Sequence, residues 1–227
     1  MSTPQERGEF GTQGARPGGG SRERVLARVR AALADVPARE APEDVAVPRA
    51  YTPAHGQGAT VDLLVDRLVD YRAHVHRVAP EELAERIGLA LAHRRAHRVA
   101  APADAPEEWF ARTATTVVRD GGGLDVAELD GMDGVVTGCA VAVAETGTIV
   151  LDAGAAQGRR ALTLIPDYHL CVVRADQIVD GVPQALPRLD PARPLTWISG
   201  PSATSDIELN RVEGVHGPRT LEVVIVE

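Results

Sequence analysis

Two stretches carry the strongest signals for the fold of this chain: GVVTGCAVAVAETGTIVLDAG, residues 134–154, and ISGPSATSDIELNRVEGVHGPRTLEVVIVE, residues 198–227. Both join runs of β-branched residues to clusters of Gly, Ser and Thr, with Asp, Glu or His close by. Such a composition is typical of a ligand crevice at the strand ends of an α/β sheet. We therefore expect the functional site to lie within residues 134–227, with the preceding chain as its scaffold.

Apolar periodicity predicts helices and strands in alternation before and inside this region. Strands are expected at residues 76–78, 98–101, 115–118, 149–152, 168–173, 195–199 and 221–226. Helices are expected at residues 21–33, 61–74, 107–111, 158–166 and 182–186, with two more beginning near residues 80 and 176. This order predicts an α/β fold, an open and mostly parallel sheet with helices on both faces.

The chain divides into four segments by composition. Residues 1–20 are rich in Gly, Gln and Pro and predict a disordered tail. Residues 21–36 predict an amphipathic N-terminal helix capped by Ser21, which packs on its own domain or contacts a partner. Prolines make residues 37–60 a linker, and residues 61–227 form the α/β domain.

Composition excludes several classes of function. The net charge of −8 argues against nucleic acid as a partner. The chain has no Lys, which rules out Schiff-base chemistry on this chain. Its two cysteines, Cys139 and Cys171, stand too far apart for a cysteine ligand framework and are expected to be buried thiols, so no cofactor is expected on this chain. Neither a signal peptide nor an apolar run of membrane-spanning length is visible, so we expect a cytoplasmic protein without a membrane span.

Four histidines in the first half of the α/β domain do not form a recognisable metal pattern. Each lies next to Arg or on a polar face, so we expect a solvated surface position for His74, His76, His93 and His97.

The turn after residue 143 is the first candidate site. Glu145 stands before Thr146, Gly147 and Thr148 and ahead of a strong strand, which places a carboxylate and two hydroxyls at a tight turn. We interpret Glu145 as a catalytic candidate and the three residues after it as ligand-binding. The alternative is that Glu145 only caps backbone amides or pairs with an Arg.

Two further groups of polar residues complete the candidate site. Arg159 and Arg160 near a predicted helix start can hold a carboxylate or phosphate, and Arg159 is the ligand-binding candidate of the two, although paired Arg at such a position is also common on solvated surfaces. His169 either lies in the core or lines the crevice.

The glycine-flanked turns near the C-terminus present an anion site at a helix start capped by Ser202, and they leave His216, a second catalytic candidate, near the ligand. Their other candidate ligand-binding residues are Gly200, Thr204, Asp206, Glu208 and Gly217. A metal set of His216 with Asp206, Glu208 and Glu213 matches no known ligand spacing, so no metal is expected.

Four strings carry a resemblance to a known family: AETGTIVLD (144–152), RRALTLIPDYHLCVV (159–173), ISGPSATSDIE (198–208) and GVHGPRTLEVVIV (214–226). With them the chain resembles the lactate utilisation protein C family, which contains the LUD domain. The resemblance implies a fold similar to the NagB, ribose-5-phosphate isomerase and CoA-transferase superfamily. It also implies a role in oxidising L-lactate to pyruvate, alongside two partner proteins that carry iron–sulfur clusters.

Three functions remain open at this point. The first is a non-redox subunit of a lactate-oxidising assembly that binds a small carboxylate or organises its iron–sulfur partners. The second is an enzyme similar to CoA-transferases or isomerases, with Glu145 as the catalytic carboxylate. The third is a regulatory or purely structural partner. Ligand identity and self-assembly stay open.

Overall fold

The computed structural model of this chain describes residues 20–37, 39, 41, 44, 46–48, 50, 52, 61–205, 211–213 and 217–227, the segments 203–205 and 211–213 by their backbone alone. The chain groups into two units, Met1–Ala50 and Tyr51–Glu227. Within the described residues no helix is long and apolar enough to cross a membrane.

The first unit contains one described helix, α1, Ser21–Ala32. This confirms the predicted helix, but its cap position is Gly20, whose N–H donates to the Glu23 carboxylate at 2.8 Å. The apolar side chains Val25 and Val29 are exposed along it.

The second unit contains the remaining helices and all of the described strands. Its helices are α2 (Val61–Asp70), α3 (Leu83–His93), α4 (Val126–Asp130) and α5 (Val182–Ala185), with 3₁₀ turns at Pro80–Glu82, Glu107–Phe110, Arg160–Thr163, Ala175–Gln177 and Leu186–Arg188. Its strands are β1 (His74–Val78), β2 (Arg98–Pro102), β3 (Thr116–Asp120), β4 (Gly134–Thr137), β5 (Val141–Val143), β6 (Thr148–Leu151), β7 (Tyr168–Arg174), β8 (Ile178–Val179), β9 (Thr196–Ile198), β10 (Ala203–Ser205), β11 (Arg211–Glu213) and β12 (Thr220–Val226).

Six parallel strands form the central sheet in the order β1-β12-β7-β4-β2-β3. One face packs on α2 through Leu64 and Leu68, and the other packs on α3 through Ile87 and Leu91. Strands covered on both faces need apolar residues at every position, which explains the continuous runs in β7 and β12. The predicted open, mostly parallel α/β fold with helices on both faces is confirmed.

A second, four-stranded sheet was not predicted. Its order is β8-β5-β6-β9, with antiparallel pairing of β5 with β6 and of β6 with β9. One face shares the core beneath α2, and the other packs with α5 around Val141, Val150 and Ala185. The strands expected near residues 149–152 and 195–199 therefore exist, but they belong to this smaller sheet.

Two of the predicted helices were wrong. The apolar run 134–143, to which no element had been assigned, is two strands, because residues 138–140 carry the chain from the central sheet to the smaller one. The helix expected over residues 158–166 is only one 3₁₀ turn, Arg160–Thr163. No helix follows Ser202, since the chain continues directly into strand β10, which pairs with β11.

Candidate functional site

A cavity of about 500 Å³ lies between the two sheets' strand ends. His169 and Leu221, the second residues of β7 and β12, line it, so it opens at the amino ends of these two strands. The carboxyl end of β9 and the 3₁₀ turn Arg160–Thr163 complete its wall. Trp197 of β9 adds a partly exposed aromatic surface at the rim.

One residue of the cavity lining, His169, belongs to a buried pair of polar side chains. His169 is 1% exposed, and its Nε2 lies 2.8 Å from the hydroxyl of Thr137, which is 0% exposed. That hydroxyl donates its one proton to the Gly138 carbonyl at 2.9 Å. The imidazole therefore donates from Nε2 to Thr137, and in the neutral form of the ring this leaves Nδ1 as a hydrogen-bond acceptor.

Both cysteines lie in the core on the same side of the central sheet as His169, which confirms that they are buried thiols. The hydrogen bond with Cys171, followed by burial, raises the pKa of Cys139 well above its usual range. Cys139 is therefore a protonated thiol at neutral pH.

The loop after β9 shapes the rim of the cavity. Gly200 has φ = 86°, and a Cβ there would lie 2.5 Å from Cβ of Tyr71, so only glycine fits. Ser202 also lines the cavity, but its N–H donates to the Pro218 carbonyl at 2.8 Å. The expected anion site made of unoccupied N–H groups at a helix start is therefore not formed here.

One arginine at the cavity has no partner among the residues that the structure describes. The exposed Arg160 lines the cavity and forms no hydrogen bond or ion pair through its guanidinium with any residue that the structure describes. Its neighbour Arg159 turns away, donating through Nε to Asp120 at 2.7 Å and through Nη2 to the Leu124 carbonyl. The cationic group that faces the cavity is Arg160.

Relatives of this chain identify its family. The LUD domain family matches residues 61–226. A lactate utilization protein C from Deinococcus radiodurans is 54% identical over 165 residues, covering 71% of this chain and 76% of that protein. This chain belongs to the LUD-domain family. A lactate utilization protein C from Halalkalibacterium halodurans is 34% identical over 93 residues, covering 37% of this chain and 40% of that protein.

A solved structure of the same kind supports the fold of this LUD domain. It is the crystal structure of a DUF162 family protein from Deinococcus radiodurans, with 45% sequence identity and a TM-score of 0.64. The match covers 74% of this chain and 96% of that one.

The turn with Glu145 lies beside the cavity of the LUD domain and is not part of its lining. Glu145 is exposed, and its N–H donates to the Asp180 carbonyl at 2.9 Å. Gly147, with φ = 58°, packs against Arg67. The Thr148 hydroxyl connects that turn to the rim, since it lies 2.8 Å from the hydroxyls of both Thr146 and Ser199.

Some of the remaining predicted site residues of the LUD domain lie at the cavity, and the side chains of the others are not described. Gly200, Ser202 and Gly217 lie together at the cavity. Thr204 is placed in β10 by its backbone alone, and three others lie outside the described residues: Asp206, Glu208 and His216. The roles assigned to these residues stay predictions.

Sequence reasoning named the Arg159–Arg160 pair but chose Arg159 as the site residue, and it did not select Thr137 or Ser199. Arg160 was part of the Arg-Arg pair, but its direction depends on the 3₁₀ turn that it begins. Thr137 is a polar residue inside a β-branched run, which is the signal that marks it as a buried hydrogen-bonding partner.

Two ion pairs of the LUD domain follow strand ends outside the cavity lining, one after β3 of the central sheet and one after β6 of the smaller sheet. Asp120 is buried, and hydrogen bonds from Arg159 and from the N–H groups of Leu124 and Gly122 outweigh burial and hold its pKa below the usual range. Arg193 similarly donates to Asp152 at 3.0 Å. These ion pairs fasten the loops that follow the strands.

Proposed function

We propose that this LUD-domain protein acts in lactate utilisation, as a non-redox subunit of an assembly that oxidises L-lactate to pyruvate, and that its cavity binds a small carboxylate. The observation that carries the ligand class is the Arg160 guanidinium at the cavity, which no described residue neutralises. A guanidinium offers a planar set of donors that matches a carboxylate.

The other polar groups of the cavity suit a 2-hydroxy acid. His169 offers an acceptor at Nδ1 when Nε2 donates to Thr137, and a 2-hydroxyl group is a donor. The Ser199 hydroxyl lies at the rim with Thr148. A ligand whose carboxylate meets Arg160 and whose hydroxyl meets His169 would be held at both ends.

The names of the relatives from Deinococcus radiodurans and Halalkalibacterium halodurans support the place in lactate utilisation. The number of cysteines supports a non-redox role for this subunit. The whole chain has two, Cys139 and Cys171, and an iron–sulfur cluster needs about four cysteine ligands. We place the iron–sulfur clusters in partner proteins.

Calorimetric titration of the full chain with L-lactate and with pyruvate tests the ligand. We expect saturable binding, and a loss of about tenfold or more in affinity for Arg160→Gln, because a charge-assisted, bidentate contact is removed. The matched control is Arg95→Gln, which changes an exposed arginine outside the cavity lining. Equal affinity of the Arg160→Gln variant and the wild type would refute carboxylate binding at this position.

Affinity purification from cells grown on lactate tests the assembly independently of the ligand. We expect the tagged protein to recover cysteine-rich iron–sulfur proteins, and its deletion to abolish lactate-dependent electron transfer. Recovery of the protein alone, with lactate oxidation intact after deletion, would overturn the subunit role and direct attention to acyl-CoA turnover and its dependence on Glu145.

A further inference from the structure

A second cavity, of about 530 Å³, lies on the other face of the central sheet, between edge strand β1 and helix α3. Successive residues of a strand point to opposite faces, so Tyr168 faces this side while His169 faces the first cavity. The polar residues that line the second cavity are His74, His76, Arg86, His93, Arg94 and Glu222.

The one carboxylate in this lining, that of Glu222, already has hydrogen-bond partners within the protein. Glu222 is 6% exposed, and its oxygens lie 2.8 Å from Nε2 of His76 and 2.9 Å from the Tyr168 hydroxyl. Burial, followed by the charge of Glu222, raises the pKa of Tyr168, so this hydroxyl stays protonated and donates. Arg94 lies over the Tyr168 ring, with Nε 4.0 Å from Glu222. The expected solvated position is therefore wrong for His76, whose partly buried side chain binds Glu222.

Donors in this cavity outnumber the acceptors available to them. The Nε atom of Arg86 is buried and has no hydrogen-bond partner in the described part of the chain. Among the residues that the structure describes, the side chains of Arg86, His74 and His93 form no hydrogen bond and no ion pair. Two guanidinium groups and three imidazoles thus face one carboxylate, although the whole chain carries a net charge of −8.

We propose that this second cavity is a binding site for a small oxyanion, a phosphate or carboxylate group held by Arg86 and Arg94 with His74 and His93 at its edge. A buried N–H without an acceptor is costly, and a ligand that satisfies Arg86 must bring acceptor oxygens. A cation is excluded by the two guanidinium charges. Leu89 and Ala90 give the site an apolar wall.

The test is calorimetric titration of the full chain with inorganic phosphate, sulfate, citrate and lactate in a low-salt chloride buffer, because salt screens such contacts. We expect phosphate or a carboxylate to bind, and Arg86→Gln and Arg94→Gln each to weaken that binding by about tenfold or more. Arg95→Gln, which changes the adjacent exposed arginine outside the lining, should leave it unchanged. Comparison of the affinities for the four anions shows whether the site prefers a phosphate or a carboxylate group.

The Arg86 Nε–H resonance of the wild-type protein gives a readout that does not depend on folding of the variants. Addition of the bound anion should shift this resonance, since the proton gains an acceptor. The proposal is overturned if no anion of the series shifts it, or if Arg86→Gln folds and binds the anion as the wild type does. Thermal unfolding of each variant establishes whether it is folded.

Discussion

Replacing Thr137 by valine tests whether one buried hydroxyl fixes the imidazole beneath the first cavity. Valine fills nearly the same volume but lacks the hydroxyl that lies 2.8 Å from Nε2 of His169. The Gly138 carbonyl keeps a contact from the Cys171 thiol at 3.7 Å. The main consequence of the substitution is therefore an N–H of His169 left without an acceptor in a side chain that is 1% exposed.

The expected loss of stability follows from this one N–H group of His169. A buried donor without a partner costs about 1–3 kcal/mol, so the free energy of unfolding should fall by that amount. For a domain of this size, 1 kcal/mol corresponds to about 2–4 °C, which gives a Tm lower by about 2–12 °C. Urea and thermal unfolding followed by circular dichroism measure both quantities. The control Thr116→Val, at an exposed position of β3, should change stability by less than about 0.5 kcal/mol.

The nitrogen resonances of His169 show whether the mechanism is right. In the wild type the proton should reside on Nε2, and in Thr137→Val this preference should be lost because its acceptor is gone. Thr137→Ser should retain the Nε2 proton, although it loses a buried methyl group. A valine variant with wild-type stability and an unchanged imidazole spectrum would refute the idea that Thr137 holds His169 in place.

Two further predictions concern the rim and the strand connections. Gly200→Ala should lower stability by about 1–3 kcal/mol and weaken lactate binding, since φ is 86° and the new methyl group would meet Tyr71; binding and stability like the wild type would contradict this. Asp133 accepts hydrogen bonds from the N–H groups of Arg98 and His97, and these bonds lower its pKa although partial desolvation opposes them. Its stabilisation is therefore present above its unfolded pKa of about 3.9 and is lost as the pH falls through the lower folded pKa. The free energy of unfolding of Asp133→Asn should thus be lower than that of the wild type at pH 7 and equal to it in strong acid. Denaturant titrations at both pH values measure this difference, and the control Asp130→Asn, at an exposed position, should not show it.

The central sheet could be predicted from sequence because its strands carry local signals. Residues 168–173 and 221–226 are almost wholly apolar, and the structure places them side by side in the middle of the sheet, with Val223 opposite Cys171. Helices cover both faces there, so each position needs an apolar side chain. A short apolar run of this kind predicts a buried parallel strand without any knowledge of its neighbours.

The smaller sheet and the candidate site depend on contacts that sequence patterns do not contain. The run 134–143 gives no sign that it turns from one sheet to another at residues 138–140. Arg159 and Arg160 are equivalent in the sequence, and their directions differ because Asp120, 39 residues away, binds Arg159. The Gly-Pro-Ser turn has the composition of a helix start. The N–H of Ser202 instead donates to the Pro218 carbonyl, and the chain continues as strand β10.

The distribution of charge explains why the candidate cavity lies at an end of the sheet that the general rule does not favour. Open α/β sheets bind ligands at the carboxyl ends of their strands. In this domain Asp120, at the carboxyl end of β3, is bound to Arg159, and Asp152, which follows β6 of the smaller sheet, is bound to Arg193. At the amino ends of β7 and β12, the Arg160 guanidinium has no such counterion among the described residues. A guanidinium that is already paired must lose its carboxylate before it binds another, so a carboxylate ligand gains more at Arg160 than at Arg159.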